Sequence, residues 1–167
     1  MNEGANAAHI GRFLSDASGK PLSAVVVDAA KKYLVDWLGV AIAGGREPVA
    51  RAVKFYAERD DATVPIIGAV QDVENAALVN GVAAHALDFD DTHIPTDSHI
   101  SAVTWAALLA FAEPSQVDEH NLLRAFIADY KVVAKFSGRR FGFSLQFRRF
   151  HPSAVIGRLA QAWRSPS

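Results

Sequence analysis

The sequence predicts an all-α domain of about seven helices, and three observations carry that reading. Apolar residues recur at three- and four-residue steps along most of the chain. Gly and Pro fall mainly between these periodic stretches. The one run rich in β-branched residues, Thr63 to Gly68, contains Pro65, so it suits a short extended link or an edge strand and not a central strand. With 167 residues, half of them hydrophobic, and 10 Phe, 3 Trp and 3 Tyr, the chain can bury a sizeable core.

Taken in order, Ala8 to Ala17 is a short amphipathic stretch with Ile10, Phe13 and Leu14 on one face, ended by Gly19-Lys20-Pro21. Ser23 to Ala43 reads as a long helix whose stripe runs through Val26, Ala30, Tyr33, Trp37 and Ala41, and Gly44-Gly45 ends it. Pro48 opens the next helix, which runs to about Arg59. The pattern resumes from Val73 to about Leu87, Ala-rich and so able to approach a neighbour closely. Ser101 to Glu113 is apolar nearly all round, the mark of a buried central helix, and Pro114-Ser115 is expected to break it. Asp118 and Glu119 sit well at the positive end of another helix, with Leu122, Leu123, Phe126, Ile127, Tyr130 and Val133 as its buried stripe. Gly138 to Phe150 is irregular and rich in Gly, Phe and Arg, and a last helix is expected from Pro152-Ser153 to Trp163.

Composition excludes several functions. There is no Cys, which removes disulfide scaffolds, thiolate zinc sites, cysteine nucleophiles and cysteine-held iron–sulfur clusters. A reducing cytoplasm is compatible with this, and a cytoplasmic protein is expected. The N-terminus lacks the basic start and apolar run of a signal peptide, and no apolar stretch approaches the roughly 20 residues of a membrane helix. Net charge is −1, but the last 37 residues hold eight cations and no acid. A basic nucleic-acid arm is one reading of that split. The aromatic residues there are mostly Phe at buried-looking positions, so no nucleic-acid partner is expected.

The chemistry concentrates between His85 and His99. These 15 residues hold three of the six His and four Asp (Asp88, Asp90, Asp91, Asp97), where one helix ends and a nearly all-apolar one begins. Helix capping explains individual Asp, Ser and Thr residues but not three histidines. A metal site is a second reading, since His85 and Asp88 lie three residues apart on one helix face, but the spacing matches no defined ligand set. The third reading is acid–base chemistry on a small anionic substrate, with Asp and His exchanging protons while hydroxyls and imidazolium hold carboxylates. His151 is a further candidate, because it precedes a predicted helix N-terminus, where an anion is favoured. The pairs Arg139-Arg140 and Arg148-Arg149 could also meet carboxylates, though solvation alone accounts for them.

Four stretches in order resemble the N-terminal part of the MmgE/PrpD family, which includes 2-methylcitrate dehydratase and cis-aconitate decarboxylase. Val27 to Gly44 resembles its early helix. Ala77-Leu78-Val79-Asn80-Gly81 through His85, with Asp88-Phe89-Asp90-Asp91-Thr92, resembles its central signature. His99-Ile100-Ser101-Ala102, leading into Ala107 to Glu113, and Phe150-His151-Pro152-Ser153-Ala154 resemble two histidine elements. The order is kept from about residue 8 to residue 163. By motif position, the resemblance implies that Asp88, His99 and His151 are catalytic and that Thr92 and His93 bind substrate. It also implies a lyase acting on a di- or tricarboxylate, of the 2-methylcitrate dehydratase type, with cis-aconitate decarboxylation or α-carbon epimerisation as alternatives.

No metal or other cofactor is expected from the resemblance, and a homodimer is. Family members are more than twice as long, so residues 1–167 are expected to be the N-terminal part of the helical domain. The smaller α/β domain and the C-terminal helices would then be absent, activity impaired, and apolar helix faces left exposed. A catalytically dead remnant that folds only with a partner is the competing expectation. Two departures stand out. Ile100 replaces the usual Pro after the first histidine, and Asp129-Tyr130, followed by Lys131, replaces the family's Gly-Tyr.

Overall fold

A computed structural model describes residues 10–16, 20–57, 73–96 and 98–137. Six helices lie among these residues, with no strand: α1 (10–16), α2 (Ala24–Gly44), α3 (Pro48–Ala57), α4 (Val73–His85), α5 (Ile100–Ser115) and α6 (Glu119–Ser137). The expectations for 63–68, for 138–150 and for the last helix from Pro152 lie outside the described residues.

The helix ends follow local chemistry. Ser23 has extended backbone angles and its hydroxyl accepts the Val26 N–H, so it caps α2 instead of being its first residue. At the start of α6, the Asp118 carboxylate accepts the Asn121 backbone N–H at 2.9 Å. That bond holds the Asp118 carboxyl below its usual range, so this cap is present near neutral pH and is lost as the pH falls through the carboxylate range.

Two boundaries differ from expectation. Helix α4 stops at His85, because Asp88 adopts a left-handed φ of 55° and returns its N–H to the His85 carbonyl. Helix α5 runs through Pro114 to Ser115 instead of breaking there. One lost N–H is tolerated in a last turn, and the chain reverses only at Gln116, with φ 50° and the Val117 N–H on the Ala112 carbonyl.

Packing centres on α5. Its Ala102, Trp105 and Ala106 meet Ala30, Trp37 and Ala41 of α2, Ala84 of α4, and Leu123, Phe126 and Ile127 of α6. Trp105 is fully buried and stacks on Phe126, with ring centroids 4.2 Å apart and planes 10° from parallel. The Trp37 indole N–H donates to the Ala102 carbonyl at 3.3 Å, joining α2 to α5.

The Ala-rich pattern of α4 does what the sequence suggests. Ala83 and Ala84 have no exposed surface, and Gly44 at the end of α2 lies so close to the Ala83 carbonyl that a Cβ there would collide with it. Val25, Val35 and Ile42 of α2 and Phe55 of α3 are more than half exposed, as expected of apolar helix faces left uncovered. No helix among the described residues is long and apolar enough to cross a membrane.

Candidate active site

The loop from Asp88 to His99 is pinned at both ends. Its entry is the left-handed turn at Asp88. Its exit is set by Asp91, whose carboxylate accepts the Ser101 backbone N–H at 3.1 Å in the first turn of α5, satisfying a donor that has no partner within the helix. Between them, His93 and Ser98 form an isolated antiparallel bridge, and Ile94–Thr96 makes one 3-10 turn that the sequence reading did not foresee. Ile100, which stands where relatives are expected to carry Pro, is fully buried against Val133 of α6. The apolar contact therefore seats the start of α5, and His99 directly before it.

These constraints gather two histidines and two aspartates. His85 Nδ1 lies 3.1 and 3.0 Å from the two oxygens of Asp90. His99 Nδ1 is 3.2 Å from Asp90 Oδ2, and its Nε2 is 3.8 Å from Asp88 Oδ1. The imidazole centroids are 4.9 Å apart, with the rings tilted 57°. Side-chain exposure grades from inside to outside: Asp90 2%, His99 14%, His85 43% and Asp88 79%. The group thus has a buried acid at its base and an accessible acid at its mouth, with one imidazole between them.

Of the expected site residues, Asp88 and His99 come together. Thr92 is exposed on the same loop. His93 is half-buried and sets its ring edge-on against Tyr130, at 5.7 Å and 87°. His151 lies outside the described residues, as do Arg139, Arg140, Arg148 and Arg149. His85 and Asp90 were read as members of the polar cluster but given no role. The signal that could have found Asp90 is its place in a loop between two histidines, since a buried carboxylate needs donors.

Four ligand atoms from His85, Asp88, Asp90 and His99 lie within 4.8 Å of one another, a donor set that could hold a divalent cation. An ion there would take the place of the protons shared between Asp90 and the two imidazoles. The sequence reading expects no metal, and chelation, described below, separates the two.

Burial also shifts nearby acids. It pushes the Asp91 carboxyl above its usual range, partly offset by the hydrogen bonds from Ser101. It raises Asp129 as well, against the hydroxyl of Thr104, which donates to that carboxylate at 2.7 Å. Burial is likewise the main reason the Tyr130 hydroxyl is pushed far up, with the Tyr33 hydroxyl 3.5 Å away. A carboxyl raised in the native state binds its proton more tightly there than in the unfolded chain. Stability therefore falls as pH rises from the ordinary carboxylate range through the raised value. Asp129→Asn keeps an acceptor for Thr104 and removes the buried charge. It should raise the Tm near pH 7, with the gain shrinking towards about pH 4. Melts at both pH values check this, and an equal gain at both would contradict it. Asp91 is common to both proteins and cancels in the comparison.

The site is distinct from the apolar groove of about 490 Å³ between α1, α5 and α6, which is lined by residues including Leu14, Leu108, Phe111 and Arg124.

With this geometry in place, likeness to known proteins becomes informative. Residues 8–164 match the MmgE/PrpD N-terminal domain. The chain is 32% identical over 149 residues to a cis-aconitate decarboxylase of Mus musculus and 30% identical over 150 residues to that of Homo sapiens, in each case covering 82% of this chain and 30% of the relative. A cis-aconitate decarboxylase-like protein of Aspergillus oryzae is 25% identical over 171 residues, covering 96% of this chain and 36% of the relative. The chain thus spans about a third of the length of these curated relatives. The match over nearly all of its residues, with an all-helical fold that seats the Asp and His motifs at one loop, establishes that the chain belongs to the MmgE/PrpD family.

Proposed function

We propose that this chain supplies the acid–base centre of a lyase acting on a small di- or tricarboxylate, without a metal or organic cofactor. The observation that carries the reading is His99, held between the buried Asp90 and the exposed Asp88 at the mouth of the loop. Decarboxylation breaks a carbon–carboxylate bond, leaves the electron pair on the substrate, releases CO₂ and requires a proton at that carbon. Dehydration requires a base for the α-proton and a proton for the departing hydroxide. Both need a group that moves a proton at the substrate, and an imidazole beside a carboxylate suits the task.

His99 Nε2 is the atom given that role, and Asp88 stabilises the imidazolium and aims it. Thr92 and His93 are the nearby groups assigned to the substrate carboxylates, with His151 as the third histidine.

The relatives named as cis-aconitate decarboxylases place decarboxylation ahead of 2-methylcitrate dehydration, the reaction first expected from the sequence. Incubating the protein with cis-aconitate and, separately, with 2-methylcitrate, followed by proton NMR, tests the choice. The expected result is consumption of cis-aconitate with release of CO₂, unchanged by EDTA. Consumption of 2-methylcitrate alone would move the reaction to dehydration. Loss of turnover on chelation would assign the four-residue cluster to a metal, and no turnover of either acid would overturn the reading.

A further inference from the structure

Asp90 has no role in the chemistry described so far, yet it is the most buried ionisable side chain of the cluster. A carboxylate taken out of water needs donors. Two converge on it: Nδ1 of His85, from the last turn of α4, which meets both oxygens, and Nδ1 of His99, from the residue before α5, at 3.2 Å from Oδ2. One acid therefore ties together the helix ends on either side of the loop.

A carboxylate only accepts, so each Nδ1 facing it must carry hydrogen. A neutral imidazole with hydrogen on Nδ1 keeps its lone pair on Nε2. For His99 that lone pair lies on the side of Asp88, 3.8 Å away. Free histidine in water prefers the opposite tautomer, with hydrogen on Nε2, so the arrangement is imposed by the protein and is measurable.

We propose that Asp90 is a positioning residue that locks hydrogen onto Nδ1 of both His85 and His99, making Nε2 of His99 the atom that takes and gives the proton. The proton ledger is then simple. Imidazolium His99 gives its Nε2 proton to substrate and returns to the neutral Nδ1–H form, while the Nδ1 hydrogen stays with Asp90 throughout. The catalytic part of this assignment rests on the function proposed above, but the tautomer does not.

The test is long-range nitrogen–proton NMR of the full chain labelled with ¹⁵N-histidine, at a pH where the imidazoles are neutral. The expected spectrum shows His85 and His99 each with a protonated Nδ1 and an unprotonated Nε2. The Nε2–H form, or an average of the two tautomers, at His99 would overturn the proposal.

Asp90→Asn supplies the second arm. Its amide has one acceptor oxygen and cannot receive both hydrogens, so at least one ring should revert towards the Nε2–H form. Unchanged tautomers at both rings in a folded Asp90→Asn protein would overturn the proposal too. If that variant does not fold, the wild-type spectrum alone decides. Absence of turnover combined with locked Nδ1–H tautomers would sink the functional reading and leave the role of Asp90 in place, so the two fail separately.

Discussion

Replacing Trp105 with Ala should destabilise the protein by about 3–5 kcal/mol, the range for removing a fully buried large aromatic side chain. Trp105 has no exposed surface and lies in the cluster shared by α2, α4, α5 and α6, with Phe126 stacked on it. No neighbouring helix can collapse into the space without pulling away from the other two. Against a typical total stability of roughly 5–15 kcal/mol, the loss is large, and it should appear as a fall in Tm of about 6–20 °C. Trp105→Phe should cost much less. Among the described residues the indole N–H has no hydrogen-bond partner, so removing it relieves a buried polar group while most of the ring contact is kept. Denaturant or thermal melts of the two variants test this. Equal losses for Ala and Phe, or a loss below about 1 kcal/mol for Ala, would contradict the packing account.

Asp88→Asn should lower kcat on the carboxylate substrate by about 10²- to 10⁴-fold, the usual worth of a positioned acid–base group, with little change in stability. The choice of Asn matters. Asp88 sits at φ 55°, a conformation that Asn tolerates and most L-residues resist. Asn therefore keeps the turn that ends α4 while removing the charge facing His99. An Ala replacement would mix loss of chemistry with backbone strain. Circular dichroism melts beside the kinetics distinguish the two, and a variant with wild-type kcat would remove Asp88 from the mechanism.

Much of this was legible from residue spacing. The stripe through Ala30, Trp37 and Ala41 and the buried character of the Ser101–Glu113 region follow from helical periodicity, because those helices bury faces wide enough to dominate the pattern. The ends were less legible. Pro114 looks like a breaker in sequence, yet a last turn absorbs a missing N–H, and the reversal falls at Gln116, whose left-handed backbone leaves no mark in composition.

In the site, Asp88 and His99 were found through their motif, and their approach is set by two anchors. One is Asp91 on the first turn of α5, and the other is Ile100 under α6. The roles of His85 and Asp90 were hidden for a different reason. Which of several acids in one short run is buried depends on the turn at Asp88 and the 3-10 turn at Ile94–Thr96, and neither is encoded by a periodic pattern.

The account turns on His99 as the proton-carrying group of a carboxylate lyase. The most direct test is kcat on cis-aconitate for the wild type and for His99→Gln, which keeps a polar side chain of similar length, with thermal melts run on both. The account predicts a loss of at least about 100-fold with the melt preserved. Rates within about twofold of each other would contradict it.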